Sequence, residues 1–113
     1  MLTVDKLREY GANVEEGLQR CYGNEALYLK LAATVPSEKN FAKLKEALDA
    51  GNLDEAFEAA HALKGALGNL SITPLYTKVC EITELLRART QTDYAPLVDE
   101  IENLRKDYEA LLS

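Results

Sequence analysis

The chain has 113 residues, 47% hydrophobic and 28% charged, and a formal charge of −6 from 13 Lys and Arg against 19 Asp and Glu. That length holds one small domain around a single core, residues 1–113, and excludes a nucleotide-binding domain beside a substrate domain. The acidic balance, with no basic cluster interleaved with aromatics, argues against nucleic acid and membrane as partners, and the lack of a long apolar run predicts a cytoplasmic chain.

Thr3 can cap a short opening helix to about Tyr10, anchored by Leu7 and interrupted at Gly11. Asn13 with Glu16 has capping-box spacing and starts a second short helix carrying Val14, Leu18 and Cys21, which Gly23 stops. Asn24 offers a third cap, and Leu27, Leu31 and Val35 give the apolar stripe of a helix that ends near Pro36. Ser37 can cap the next helix, with Phe41, Leu44 and Leu48 facing inward and Gly51 as its terminator. The two cysteines, Cys21 and Cys80, lie far apart with no companion ligand and read as reduced core residues.

Asn52 with Glu55 repeats the capping-box spacing and opens the helix that holds the single histidine. Leu53, Ala56, Ala60, Leu63, Leu67 and Leu70 alternate three and four apart and form its packing seam. At 3.6 residues per turn His61 points roughly 130° from the centre of that seam, toward solvent. Phe57, Lys64, Gly65 and Gly68 share its side of the helix. A mid-helix glycine costs about 1 kcal/mol relative to alanine, so Gly65 and Gly68 call for a reason. Two readings are open: room for a neighbouring helix, or clearance for an approaching partner. Their position on the histidine side, opposite a complete seam, favours the partner.

Thr73-Pro74 is a cap followed by a proline at the first helical position, and Leu75, Val79, Ile82 and Leu86 form the seam of the helix it begins. After a polar break at 90–93, Leu97, Ile101, Leu104, Tyr108 and Leu111 form the last seam, with Pro96 in its first turn. No stretch alternates with a period of two, and no hairpin turn joins two β-branched runs. The chain is therefore all-α. Four long helices, roughly 37–50, 53–70, 74–89 and 94–112, with short connections predict an up-down-up-down antiparallel four-helix bundle over about 37–112, flanked by short N-terminal helices in 1–36.

Most chemistry fails on inventory. There is no hydrolytic triad around the histidine, no set of ligands for a metal and no phosphate-cradling loop, so neither a metal site nor an ATP site is expected. What remains is an imidazole acting as a nucleophile that accepts a group and passes it on, because a neutral ring has a free lone pair. An ammonium one turn along, at Lys64, could pair with the oxygens of a phosphoryl group on that ring. Spacing alone leaves open the plainer reading of a surface histidine with an incidental lysine.

The run Ala60-His61-Ala62-Leu63-Lys64-Gly65-Ala66-Leu67-Gly68 resembles the signature H-x-L/I-K-G of histidine-containing phosphotransfer (HPt) domains, the phosphocarrier modules of two-component phosphorelays. The resemblance implies a four-helix bundle with the histidine midway along a long helix. It implies that His61 is the phosphoacceptor, that Lys64 stabilises the phosphoryl group and that Gly65 gives clearance. With Phe57 and Gly68 it would form the partner-facing surface. A carrier of this kind relays phosphate between receiver-domain aspartates, is not an enzyme with its own kinase or ATPase activity, and needs no cofactor, magnesium belonging to the receiver. Its implied partners are response-regulator receiver domains, with a hybrid sensor histidine kinase as a further candidate. This chain departs from the family pattern twice. Ser71 stands where a glycine is common, and Thr83 stands where related chemotaxis-kinase domains place a glutamate on the imidazole. The contrasting class is a helical adaptor that binds a partner without phosphorylation.

Overall fold

The computed structural model describes Met1–Ser113, and a side-chain cap opens a helix at each of Thr3, Asn13, Asn24 and Asn52. Their side-chain oxygens accept the backbone N–H three residues on at 3.1, 3.2, 3.0 and 3.1 Å respectively. The helices are α1 Val4–Tyr10, α2 Val14–Arg20, α3 Glu25–Ala32, α4 Asn40–Asp49, α5 Leu53–Leu70, α6 Thr73–Arg87 and α7 Ala95–Ala110, with a 3-10 turn at Val35–Ser37 and no strand.

The last four helices form the antiparallel bundle. Helix α5 packs along both α4 and α6, α6 packs on α7, and α2 and α3 both touch α5. Most of the bundle seams is buried, with Phe41 and Leu44 on α4, Ala56, Ala60, Leu63, Leu67 and Leu70 on α5, Leu75, Val79, Ile82 and Leu86 on α6, and Ile101 and Tyr108 on α7, while the seam residues Leu48, Leu53, Leu97, Leu104 and Leu111 are half-buried against them. They join Leu2, Leu7, Val14, Cys21 and Tyr28 from the N-terminal segments in a single apolar cluster. No helix is long and apolar enough to cross a membrane.

Two helix starts differ from the sequence reading. Ser37 does not cap α4. It closes the 3-10 turn, its N–H donating to the Thr34 carbonyl at 3.1 Å, and the Glu38 carboxylate takes the N–H of Asn40, the first residue of α4, at 3.3 Å. Thr73 is a helical residue rather than the cap, because the chain leaves α5 in so tight a turn that Ile72 occupies the capping position, and the Thr73 hydroxyl donates to the Ser71 carbonyl at 3.3 Å.

Helix α3 is turned relative to its predicted stripe. Leu27 and Leu31 are 37% and 41% exposed, while Tyr28 and Ala32 are fully buried. Tyr28 sets this phase. Its hydroxyl donates to the Leu70 carbonyl at the end of α5, at 3.0 Å, and its ring lies against Gly17, where a Cβ would fall 2.5 Å from the ring edge. A buried phenol needs a partner, and the bare C-terminal carbonyls of a helix supply one. Burial pushes that phenol up to about 12. Tyr108 repeats the device on the Ala32 carbonyl at the end of α3, at 2.7 Å, while Tyr10 donates to the Leu104 carbonyl within α7, at 2.8 Å. Three tyrosine hydroxyls thus fasten the N-terminal helices to the bundle.

Candidate functional site

Helix α5 carries His61 about midway along its length, exposed, with the seam residues Ala60 and Leu63 on either side of it buried. One turn earlier, Phe57 lies under the imidazole: the ring centroids are 5.7 Å apart and the planes are 22° from parallel. Stacks of this kind contribute about 0.5–1.5 kcal/mol beyond burial. Two guanidinium groups cover Phe57 in turn, with the Arg87 and Arg89 Cζ atoms 5.2 and 5.1 Å from its centroid. Arg89 is itself fixed. Its backbone turns left-handed just past α6 (φ 52°), its Nε donates to Asp54 Oδ1 at 2.7 Å, and a terminal N–H reaches the Leu86 carbonyl at 2.5 Å.

On the other side of His61 lies a groove of about 540 Å³. Lys64, Gly65 and Gly68 from α5 form its floor with His61, Tyr76 from α6 forms one wall, and Glu16 and Arg20 from α2 form the other. A Cβ placed on Gly65 would meet no neighbouring atom within 4 Å, so this glycine leaves the groove open beside the ring. Gly68 differs. A Cβ there would lie 3.0 Å from the Tyr76 ring, so the second glycine makes room for a neighbouring helix's side chain. Of the two readings, clearance for a partner and room for a neighbouring helix, Gly65 fits the first and Gly68 the second, because the turn through Ser71 brings the Tyr76 ring of α6 against Gly68 at the C-terminal end of α5.

That turn also builds the α2 wall. Ser71 adopts the left-handed conformation (φ 56°, ψ 42°) at the end of α5, donates its hydroxyl to Glu16 Oε1 at 2.9 Å, and accepts the Asn13 N–H on its carbonyl at 2.9 Å. Glu16 in turn holds Arg20 at 3.4 Å. Sequence reasoning did not reach Glu16 and Arg20, since they are separated from His61 by two helices. The capping-box pair Asn13 and Glu16 was visible but explained locally. Arg87 and Arg89 carry no local signal of a role either, since basic residues are common at the end of a helix.

Thr83, the position where a related domain would carry glutamate, is fully buried and donates its hydroxyl to the Val79 carbonyl at 2.6 Å. It offers the imidazole nothing. No cluster of three or more His, Cys, Asp or Glu is arranged to hold a metal ion, and both cysteines are free thiols. A somewhat larger groove, about 640 Å³, lies between α4 and α7, but Lys39, Lys45 and Lys106 there are interleaved with Glu38, Asp99 and Glu102, and it contains no nucleophile of comparable strength. Chemistry therefore centres on one exposed ring, stacked on one side and open on the other, beside the half-buried Lys64.

A family model described as Hpt domain matches residues 36–113, which takes in all four bundle helices and leaves α1 to α3 outside. No curated protein and no solved structure matches the chain.

Proposed function

The chain belongs to the Hpt domain family, whose members carry out histidine phosphotransfer in two-component signalling, and from that premise we propose that it is a phosphocarrier that takes a phosphoryl group from one receiver-domain aspartate onto His61 and delivers it to another. One observation carries the reading: the only histidine of the chain stands exposed on α5 beside a groove that Gly65 leaves empty.

The neutral ring attacks the phosphorus of an aspartyl phosphate through its free lone pair. A nitrogen–phosphorus bond forms as the phosphorus–oxygen bond to the aspartate breaks, the carboxylate leaves with that bond's electrons, and the other ring nitrogen keeps its proton. Transfer to the next receiver reverses these steps. Lys64 pairs with phosphoryl oxygens as charge spreads over them. Magnesium sits on the receiver, and this chain supplies no cofactor and no kinase activity of its own. Residues 1–36 act with the bundle as one unit, since α2 walls the groove. The partners are response-regulator receivers, with a hybrid sensor kinase as a further donor, in the cytoplasm where such receivers work.

The test is a labelling experiment with ATP and magnesium alone and with a receiver already phosphorylated on aspartate. The carrier stays unlabelled in the first and gains acid-labile, base-stable phosphate in the second. Strong labelling from ATP alone would make it a kinase, and no labelling from any receiver would leave the adaptor.

A further inference from the structure

Building on the phosphocarrier reading, we infer that Phe57 is a positioning residue for His61: it fixes the plane of the imidazole by stacking, and Arg87 and Arg89 hold Phe57 in place. An imidazole that must meet phosphorus in line cannot rotate freely about its Cβ–Cγ bond, because most ring planes aim the lone pair away from the incoming group. Fixing a catalytic imidazole ordinarily takes a hydrogen bond to its second nitrogen. The position where such a group would stand is Thr83, and its hydroxyl is bound to Val79 inside the core. The contact that the chain does give the ring is the Phe57 face, 5.7 Å away and 22° from parallel. A stack restrains rotation of the plane while leaving both nitrogen edges unobstructed, which suits a ring that must be reached from outside.

Phe57 is itself restrained from two directions. It is half-buried against the core from α5, and the Arg87 and Arg89 guanidinium groups lie 5.2 and 5.1 Å from its centroid. The Arg89 guanidinium is held by two bonds, to Asp54 at the start of α5 and to the Leu86 carbonyl at the end of α6. Arg87 is paired with Glu84 at 3.0 Å. The chain of contacts Asp54, Arg89, Phe57, His61 therefore runs along one face of α5 and ties the ring plane to the α6 end. The two cations are attracted to the phenyl ring and so hold it in place.

The experiment measures two quantities on the full chain and its variants: the His61 ring-proton resonances, and the maximal rate and receiver KM of transfer from a receiver charged with acetyl phosphate. Phe57→Leu keeps the apolar packing and removes the stack. It should move the His61 resonances downfield as the ring current is lost, and lower the maximal rate by roughly twofold to tenfold with KM unchanged. Phe57→Tyr should restore both. A raised KM with an unchanged maximal rate would make Phe57 a docking contact only, and unchanged resonances in Phe57→Leu would show that no stack forms in solution; either overturns the inference. If Phe57→Leu does not fold, the surface pair Arg87→Gln and Arg89→Gln replaces it. That double variant should shift the same resonances in the same direction and slow transfer, and finding both unmoved overturns the inference as well. A wild-type chain that accepts no phosphate overturns the phosphocarrier reading instead, and the resonance comparison still decides the stack.

Discussion

Ser71 donates its hydroxyl to Glu16 at 2.9 Å while its own backbone is left-handed, at φ 56°. The bond ties α2 to the turn after α5 and so fixes one wall of the groove beside His61. A non-glycine residue in this conformation costs about 1–2 kcal/mol, and a hydrogen bond of this kind returns about 1 kcal/mol. Ser71→Gly relieves the first and loses the second, so its stability should stay close to that of the parent. Ser71→Ala keeps the strain and loses the bond. Urea denaturation should place Ser71→Gly above Ser71→Ala by about 1 kcal/mol, and the reverse order would show that the turn is not strained.

Gly65 and Gly68 should part company under substitution. Gly65→Ala fills empty space and gains helix propensity, so stability should rise by about 0.5–1 kcal/mol. Gly65→Leu should fold equally well and slow transfer by occupying the approach to the ring. Gly68→Leu drives into the Tyr76 ring and should destabilise by about 1–3 kcal/mol. Removing that ring with Tyr76→Ala should relieve most of the loss, as thermal unfolding of the double variant would reveal.

Gly17 stands against Tyr28 with no such freedom, since that ring is buried and its hydroxyl is bound to Leu70. Gly17→Ala should cost about 1–3 kcal/mol through the forced displacement of the ring. Tyr28→Phe should cost about 1–3 kcal/mol by leaving the Leu70 carbonyl unpaired. Denaturation midpoints of the two variants check both figures, and a neutral Gly17→Ala would mean that α2 and α3 pack more loosely than the structure has them.

Much of this was legible in the sequence. The three asparagine caps and Thr3 act within a few residues of themselves, and the seams of α4 to α7 repeat often enough that a helical period admits no other reading. The seam of α5 in turn put His61, Lys64 and Gly65 on one exposed side. What the sequence hid depends on distant partners. Leu27 and Leu31 look like a buried stripe until Tyr28 finds the Leu70 carbonyl, and Gly68 looks free until Tyr76 arrives from the next helix. Glu16 and Arg20 join the groove only through Ser71, whose left-handed turn is unusual for a residue with a Cβ.

Lys64 should matter by degree. A half-buried ammonium paired with phosphoryl oxygens is worth about 1.5–3 kcal/mol, so Lys64→Ala should slow acceptance by roughly tenfold to a hundredfold without abolishing it. Rapid-quench transfer from a phosphorylated receiver gives the rate directly. An unchanged rate would remove Lys64 from the chemistry.

The most direct measurement follows phosphate from an aspartyl-phosphorylated receiver onto the parent chain and onto His61→Gln, with helical content recorded for both. Because His61 is the only histidine and its side chain lies outside the core, the variant should fold like the parent and take up no acid-labile phosphate, while the parent is labelled. Acid-labile label on a folded His61→Gln variant, or none on the parent with every receiver tried, would contradict the account.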